Sequence, residues 1–432
     1  MKIFQRKTML LGAQHVLAMY AGAIIVPLIV GGALKLSATQ LGYIIAADLL
    51  TCGLATILQA YRTPFFGIGL PVVLGCTFTA VFPMIIIGGQ YGLPAVYGAI
   101  ISSGLFVVLI ANYFSKLIKF FPPVVTGSVV TIIGITLVPV AINNMAGGQG
   151  SPDFGSLSNF GLGLGVLLFI ILLNRFTTGF IRSISVLIGL IAGTIVATLM
   201  GLVSLDNVAQ ASWFNMPAPF YFGMPVFEPS AILTMIIVAI VSMIESTGVF
   251  MVLGEICDRK LTEKDLTKGY RAEGLAVILG GVFNSFPYTT FSQNIGLVLL
   301  SKSKTTNVTI TAGCMLILLG LIPKFAALAM IIPTAVLGGA MIAMFGIVVA
   351  SGIKMLSKVD LSTNENLLII ACSVALGLGV SVVPNLFAKF PPLLKIFFEN
   401  GIVTGTMTAV ILNIILNMTV KTKAAPEKAI SR

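Results

Sequence analysis

The sequence predicts an all-α polytopic membrane protein of roughly 14 transmembrane segments. Composition carries the first part of that. The chain is 57% hydrophobic and 9% charged, where a soluble domain carries about 25% charge. The mean hydropathy of +1.07 agrees. The apolar runs then follow one another with few long breaks. Most approach the ~20 residues that a helix needs to cross a ~30 Å hydrocarbon core.

In order, spans are expected over residues 8–32, 38–60, 67–89, 94–113, 122–143, 159–174, 180–203, 229–256, 272–284, 286–300, 305–327, 331–352, 364–383 and 399–419. The first follows basic residues and has no small-residue cleavage site, so it reads as a retained span. The formal charge is +11. With a cytoplasmic N-terminus, about 21 of the 25 Lys and Arg fall inside, and Lys35, Lys324, Lys389 and Lys395 fall outside. The positive charge is therefore a topology signal with some attraction to anionic lipid, and not a nucleic-acid surface. It places both termini in the cytoplasm. The polar connections 142–159 and 204–229 lack Lys and Arg and fit the outside. The connection 254–271 is basic and fits the inside.

Two segments break the pattern. LPVVLGCTFTAVFP (70–83) and SFPYTTFSQNIG (285–296) resemble each other, and Pro71 and Pro287 lie half a chain length apart. Proline and glycine break helix, and the freed backbone groups cannot face lipid. Paired interruptions in two halves point to a transporter binding site. Seven spans per half would invert the halves and bring the broken segments together near the midplane. Their half-helix N-termini would then offer N–H groups to a ligand. Two ordinary kinked helices would give the same local sequence.

Ionisable residues within spans are rare because each is costly there, by about 2.5–3.5 kcal/mol or more. Glu245 lies deep in AIVSMIESTGVFMVLG and reads as a ligand acceptor or proton carrier, or as a protonated structural acid. Asp48 in IIAADLLTCG reads first as structural. Glu273 opens RAEGLAVILGG, near the cytoplasmic end, where an interfacial acid is the alternative to a functional one. His15 is the only histidine. It could shuttle protons or tie two helices together. The five cysteines form no C-x-x-C pair and read as packing residues. No H-E-x-x-H, Walker A or D-D-x-x-D motif occurs, so neither an enzyme, a metal site nor a cofactor is expected.

Together these residues resemble one family, the nucleobase–ascorbate transporters. Its signature is matched by QNIGLVLLSK, with Gln293, Asn294, Gly296, Ser301 and Lys302. Ser301 departs from the usual Thr and keeps the hydroxyl. Gln14–His15 in the first span, Glu245 in IESTG and Glu273 opening the ninth span are further marks, in order along nearly the whole chain. Glu273 stands where Asp is often seen.

The resemblance implies two inverted seven-span repeats. It implies a core domain over about 8–113 and 229–327, a gate domain over about 114–228 and 328–420, and a cytoplasmic tail, 421–432. Short strands are implied in broken spans 3 and 10, with substrate between them, and a homodimer in a bacterial plasma membrane. Glu245 and Gln293 would grip a base by paired hydrogen bonds, and Phe78 would lie against its ring. Ser292 and Gly296 would flank the strand, while Asn294 and His15 support its geometry. Glu273 would join Glu245 in proton coupling. Gln at 293 resembles purine-type rather than uracil-type members, so the expectation is a proton-coupled xanthine symporter. Urate and uracil are the alternatives, and sodium coupling stays open. A carboxamide offers a donor and an acceptor in one plane, the complement of a lactam edge. An anion transporter or channel of the same fold is the reading from a different class.

Overall fold

The computed structural model describes residues 5–117, 121–383, 386–387, 389–391 and 398–418, and the side chains of Leu117, Asn207 and Gln293 lie outside the description. The expected tail 421–432, and the cations Lys2, Lys119, Lys395, Lys421, Lys423, Lys428 and Arg432, also lie outside the described residues. What is described is mostly helix. The first quarter holds α1 (Arg6–Ala33), α2 (Ala38–Ala60), strand β1 (Leu74–Cys76), a 3-10 turn (Phe78–Ala80), α3 (Val81–Tyr91) and α4 (Leu93–Leu117). Then come α5 (Pro123–Met145), α6 (Leu157–Phe176), α7 (Gly179–Ser183), α8 (Ser185–Leu199) and α9 (Asp206–Gln210). The next stretch holds α10 (Pro229–Ile256), α11 (Glu263–Val282), strand β2 (Tyr288–Thr290) and α12 (Gln293–Ser301). The remainder is α13 (Thr306–Gly320), α14 (Pro323–Met330), α15 (Thr334–Leu356), α16 (Asn364–Val382) and α17 (Gly401–Asn413), which runs on into a π-helical turn, Ile414–Met418.

Among the described residues, nine helices are long and apolar enough to cross a membrane. They become ten if α13 and α14, bent by 80° at Leu321–Ile322, form one span. Phe78–Tyr91 and Ser185–Leu199 are shorter apolar helices. The chain is thus a multi-pass membrane protein. α11 starts well before the expected residue 272, and its cap explains why. Thr262 Oγ1 accepts from Asp265 N at 3.3 Å, and Asp265 Oδ2 accepts from Thr262 N at 3.1 Å, a capping box placed in a basic, polar stretch. Asp265 also takes Arg62 at 2.8 Å and Arg259 at 2.6 Å. Glu273 therefore sits mid-helix and is 2% exposed, so the interfacial alternative does not hold.

Helices gain no hydrophobic drive from one another in lipid, and close packing falls to small residues. α2 and α13 meet at Gly53 and Gly313. A Cβ on Gly53 would lie 2.5 Å from the Gly313 carbonyl oxygen, and one on Gly313 would lie 2.8 Å from that of Gly53. By contact the chain forms two compact units, Met1–Ser115 with Leu137–Phe345, and Lys116–Thr136 with Gly346–Arg432. In the second unit α16 packs on α17, and Gly352 of α15 faces the Thr131 backbone of α5. All the candidate residues below belong to the first unit.

Candidate functional site

The two interrupted segments each yield a three-residue strand, and the strands pair antiparallel. Leu74 faces Thr290, Gly75 faces Thr289 and Cys76 faces Tyr288. The ladder is extended by Thr77 N donating to Pro287 O at 3.0 Å and Phe291 N donating to Val73 O at 2.9 Å. Backbone groups freed by the breaks are thereby satisfied within protein. Each strand runs straight into a helix. Thr77 caps the 3-10 turn by accepting from Thr79 N at 3.2 Å, and Ser292 precedes α12. Phe291 locks the pair from one side. Its ring, 4% exposed, lies over Gly75 and Gly22, and a Cβ on Gly75 would come within 2.5 Å of it.

α10 packs on β2, on the 3-10 turn and on α12. Ser242 and Ser246 are four apart and so share one face. That face meets β2. Ser246 Oγ donates to Glu273 Oε1 at 2.8 Å and lies 3.1 Å from Thr289 Oγ1. It also accepts from Thr290 Oγ1 at 3.2 Å and from Thr290 N at 3.4 Å. Thr289 Oγ1 further donates to Ser242 O at 3.5 Å. One serine hydroxyl thus joins α10, α11 and the strand. Glu245, its neighbour, points about 100° away around the helix. It is half-buried and makes no hydrogen bond among the described residues.

Tyr288 faces away from the neighbouring Thr289, as successive strand residues must. Its hydroxyl donates to Asp48 Oδ1 at 3.0 Å and lies 2.7 Å from Ser285 Oγ, which donates to the same Oδ1 at 3.0 Å. Thr51 Oγ1 joins the cluster, and Cys52 Sγ lies 3.7 Å from Asp48 Oδ2. Asp48 is fully buried, and its side chain takes the Tyr288 and Ser285 hydroxyls and the Cys52 thiol. β2 therefore hangs between two buried carboxyls, Asp48 on α2 and Glu273 on α11.

His15 and Asn294 meet, both 2% exposed. Asn294 Nδ2 lies 3.1 Å from His15 Nδ1 and donates to the His15 carbonyl at 3.3 Å. An amide nitrogen donates and cannot accept, so this contact fits the tautomer with the lone pair on Nδ1. Phe78 is half-buried and stands edge-on to Phe345 at 5.4 Å. Gln293 is the first residue of α12, and its side chain lies outside the described ones. Ser292 and Gly296 are exposed, and Gly296 belongs to the first turns of α12, not to the strand edge. A Cβ at Gly296 would meet nothing within 4 Å.

The structure thus joins Glu273 with the face beside Glu245, and His15 with Asn294. Sequence reasoning missed Ser246, Thr289, the Asp48–Tyr288–Ser285 cluster and Phe345. Ser246 carried one readable signal, a hydroxyl four residues after Ser242 and next to Glu245 on a mostly apolar helix. Among the described residues no three His, Cys, Asp or Glu side chains are grouped to hold a metal.

Residues 6–386 match the sequence model of a permease family, that of the xanthine/uric acid permeases. A nucleobase transporter of Paenibacillus larvae, PlUacP, is 64% identical over 412 residues, covering 95% of each chain. The xanthine permease of Bacillus subtilis is 61% identical, over 98% of this chain and 97% of its own. The uric acid permease PucK of the same organism is 62% identical, over 94% of each. In solved structures the fold resembles the transmembrane domain of the cyanobacterial bicarbonate transporter BicA. The TM-score is 0.64 at 18% identity, over 88% of this chain and 96% of that one. That likeness concerns fold alone. The match over most of the chain, with relatives above 60% identity along almost their full length, means that this protein belongs to the permease family of nucleobase–ascorbate transporters and is not an enzyme.

Proposed function

We propose that the protein is a proton-coupled symporter that imports a purine nucleobase, xanthine first, by alternating access. The observation that carries the reading is the pairing of β1 with β2 under α10. Each strand leads into a helix start, and Glu245 stands on α10 beside the Glu273–Ser246–Thr289 chain. In this reading Glu245 and Gln293 bind the base through paired hydrogen bonds. Phe78 lies against the ring, and Ser292 and Gly296 bound the site at the start of α12. Asn294 and His15 hold that helix start in place, and Glu245 and Glu273 share the transported proton. Fourteen spans in two inverted repeats, core and gate domains, a homodimer, and a plasma-membrane location with cytoplasmic termini belong to the same reading. The charge distribution supports the orientation.

A proton moving with a neutral base carries one charge, worth about 2.3 kcal/mol per 100 mV. That supports roughly a fortyfold gradient at about 1.4 kcal/mol per tenfold. Relatives named for xanthine and for uric acid are almost equally similar to this chain, so urate is the second substrate to test. In this reading a bare anion is disfavoured by the Glu245 carboxyl at the site.

The test is uptake of radiolabelled xanthine into cells lacking their own purine permeases, with and without a protonophore. Uphill uptake that collapses with the protonophore, and is lost in Glu245→Gln, is expected. Absence of xanthine uptake by well-expressed protein rejects the substrate. Uptake that ignores the protonophore and needs sodium rejects the proton.

A further inference from the structure

Glu273 uses one of its two oxygens. Oε1 accepts from Ser246, whereas Oε2 is buried and has no hydrogen-bond partner among the described residues. Ser242, 5% exposed, has the same deficit at its Oγ. An intrahelical solution was available to it. On the same helix, Thr234 donates back to Ser230 O at 2.9 Å and Thr247 to Met243 O at 2.7 Å. Ser242 does not do so. Glu273 and Ser242 line one small cavity together with Ser103, Ala239, Val107 and Tyr288. Ser103 Oγ spends its proton on the Ile100 carbonyl at 2.8 Å and keeps its lone pairs. The cavity has room for about one water molecule.

Two buried polar groups left unmatched would each cost about 1–3 kcal/mol. A buried water characteristically makes about three hydrogen bonds to such groups. We propose that this cavity is a binding site for a single water that bridges Glu273 Oε2 to Ser242 Oγ and Ser103 Oγ. With Glu273 ionised, the water accepts from Ser242 and donates to Oε2 and to Ser103. With Glu273 protonated, Oε2–H donates to the water, which donates to Ser103, and the Ser242 hydroxyl turns to accept. The carboxyl keeps a partner on both oxygens in either charge state, so gaining or losing its proton requires only that the water and the Ser242 hydroxyl reorient.

The inference rests on the proton-coupling reading for what the water serves, and not for the water itself. The experiment separates the two. Infrared spectra of the purified protein are recorded in ordinary and in 18O-labelled water, and Glu273→Gln identifies the Glu273 carboxyl band. Ser242→Ala removes one partner, and Ala239→Val fills the cavity without touching a polar group. An 18O-sensitive band from an internal water is expected in the wild type, lost in Ala239→Val and displaced in Ser242→Ala. The pH midpoint of uptake should move by about one unit in both variants, the size of one hydrogen bond to a charged group. The KM for the base should stay within about twofold. No 18O-sensitive band in the wild type overturns the proposal, as does a band unchanged in both variants. If neither variant folds, the wild-type spectrum decides alone. A band that behaves as expected in a protein whose uptake ignores protonophores supports the water site and rejects only the coupling.

Discussion

Replacing Ser246 by Ala deletes the donor to Glu273 and the acceptor of Thr290 N and Oγ1 in one step. Buried partners left unmatched cost about 1–3 kcal/mol each. Ser246→Ala should therefore lower maximal uptake at least tenfold, with Ser246→Thr retaining more because it keeps the hydroxyl. Initial-rate kinetics on matched amounts of membrane protein would read this, and wild-type rates in Ser246→Ala would exclude the role. Asp48 makes a separate case. Asp48→Asn keeps an oxygen for Tyr288 and Ser285, whereas Asp48→Ala keeps none. Asn should preserve thermal stability in detergent and Ala should lower it by several degrees. Equal loss in both would mean that the negative charge matters rather than the acceptor. Residue identity was only partly readable in advance. Glu245 and Glu273 announce themselves because charge in an apolar run is costly. Hydroxyls such as those of Ser246 on α10 and Thr289 on β2 are common at membrane depth, and apart from the spacing of Ser246 from Ser242 nothing local distinguishes a hydroxyl that joins three elements from one that back-bonds to its own turn.

At the scale of the element, the strand pair depends on the Phe291 ring lying over bare backbone. Gly75→Ala places a methyl 2.5 Å from that ring, so it should abolish uptake or assembly. Shortening the ring in Gly75→Ala/Phe291→Leu should recover part of it. The two single substitutions, adjacent in space, should be clearly non-additive in a double-mutant cycle. Additive losses would mean that the contact does not hold the pair. Both interruptions were legible, because Pro71 and Pro287 break the apolar pattern at two similar Thr- and Gly-containing segments, and each segment contains one of the strands. The start of α11 was not. Hydropathy sees only its apolar end, while its first turns are built by a Thr262–Asp265 capping box among charged residues. The 80° bend between α13 and α14 was also hidden inside a single apolar run, although Pro323 marks the place.

For the whole molecule, orientation is the property that composition predicts most directly. In a background without the five native cysteines, Lys35→Cys should react with an impermeant maleimide on intact cells. Lys304→Cys should react only after the membrane is opened. The reverse pattern would invert the topology and with it the direction of coupling. Membership of the family and its mostly helical fold follow from motifs and hydropathy spread along the chain. How the helices close on one another does not, since contacts such as Gly53 with Gly313 join residues far apart in sequence. The same distance governs biosynthesis. Leu74 pairs with Thr290, so the first half of the chain leaves the ribosome with its strand unmatched. At about 5–20 residues per second the partner follows roughly ten to forty seconds later. For that interval the exposed edge of β1 has no companion of its own chain and cannot settle in lipid. A nascent chain stopped before Tyr288 should then be held by the insertion machinery or destroyed by membrane proteases, and one extended through α12 should survive.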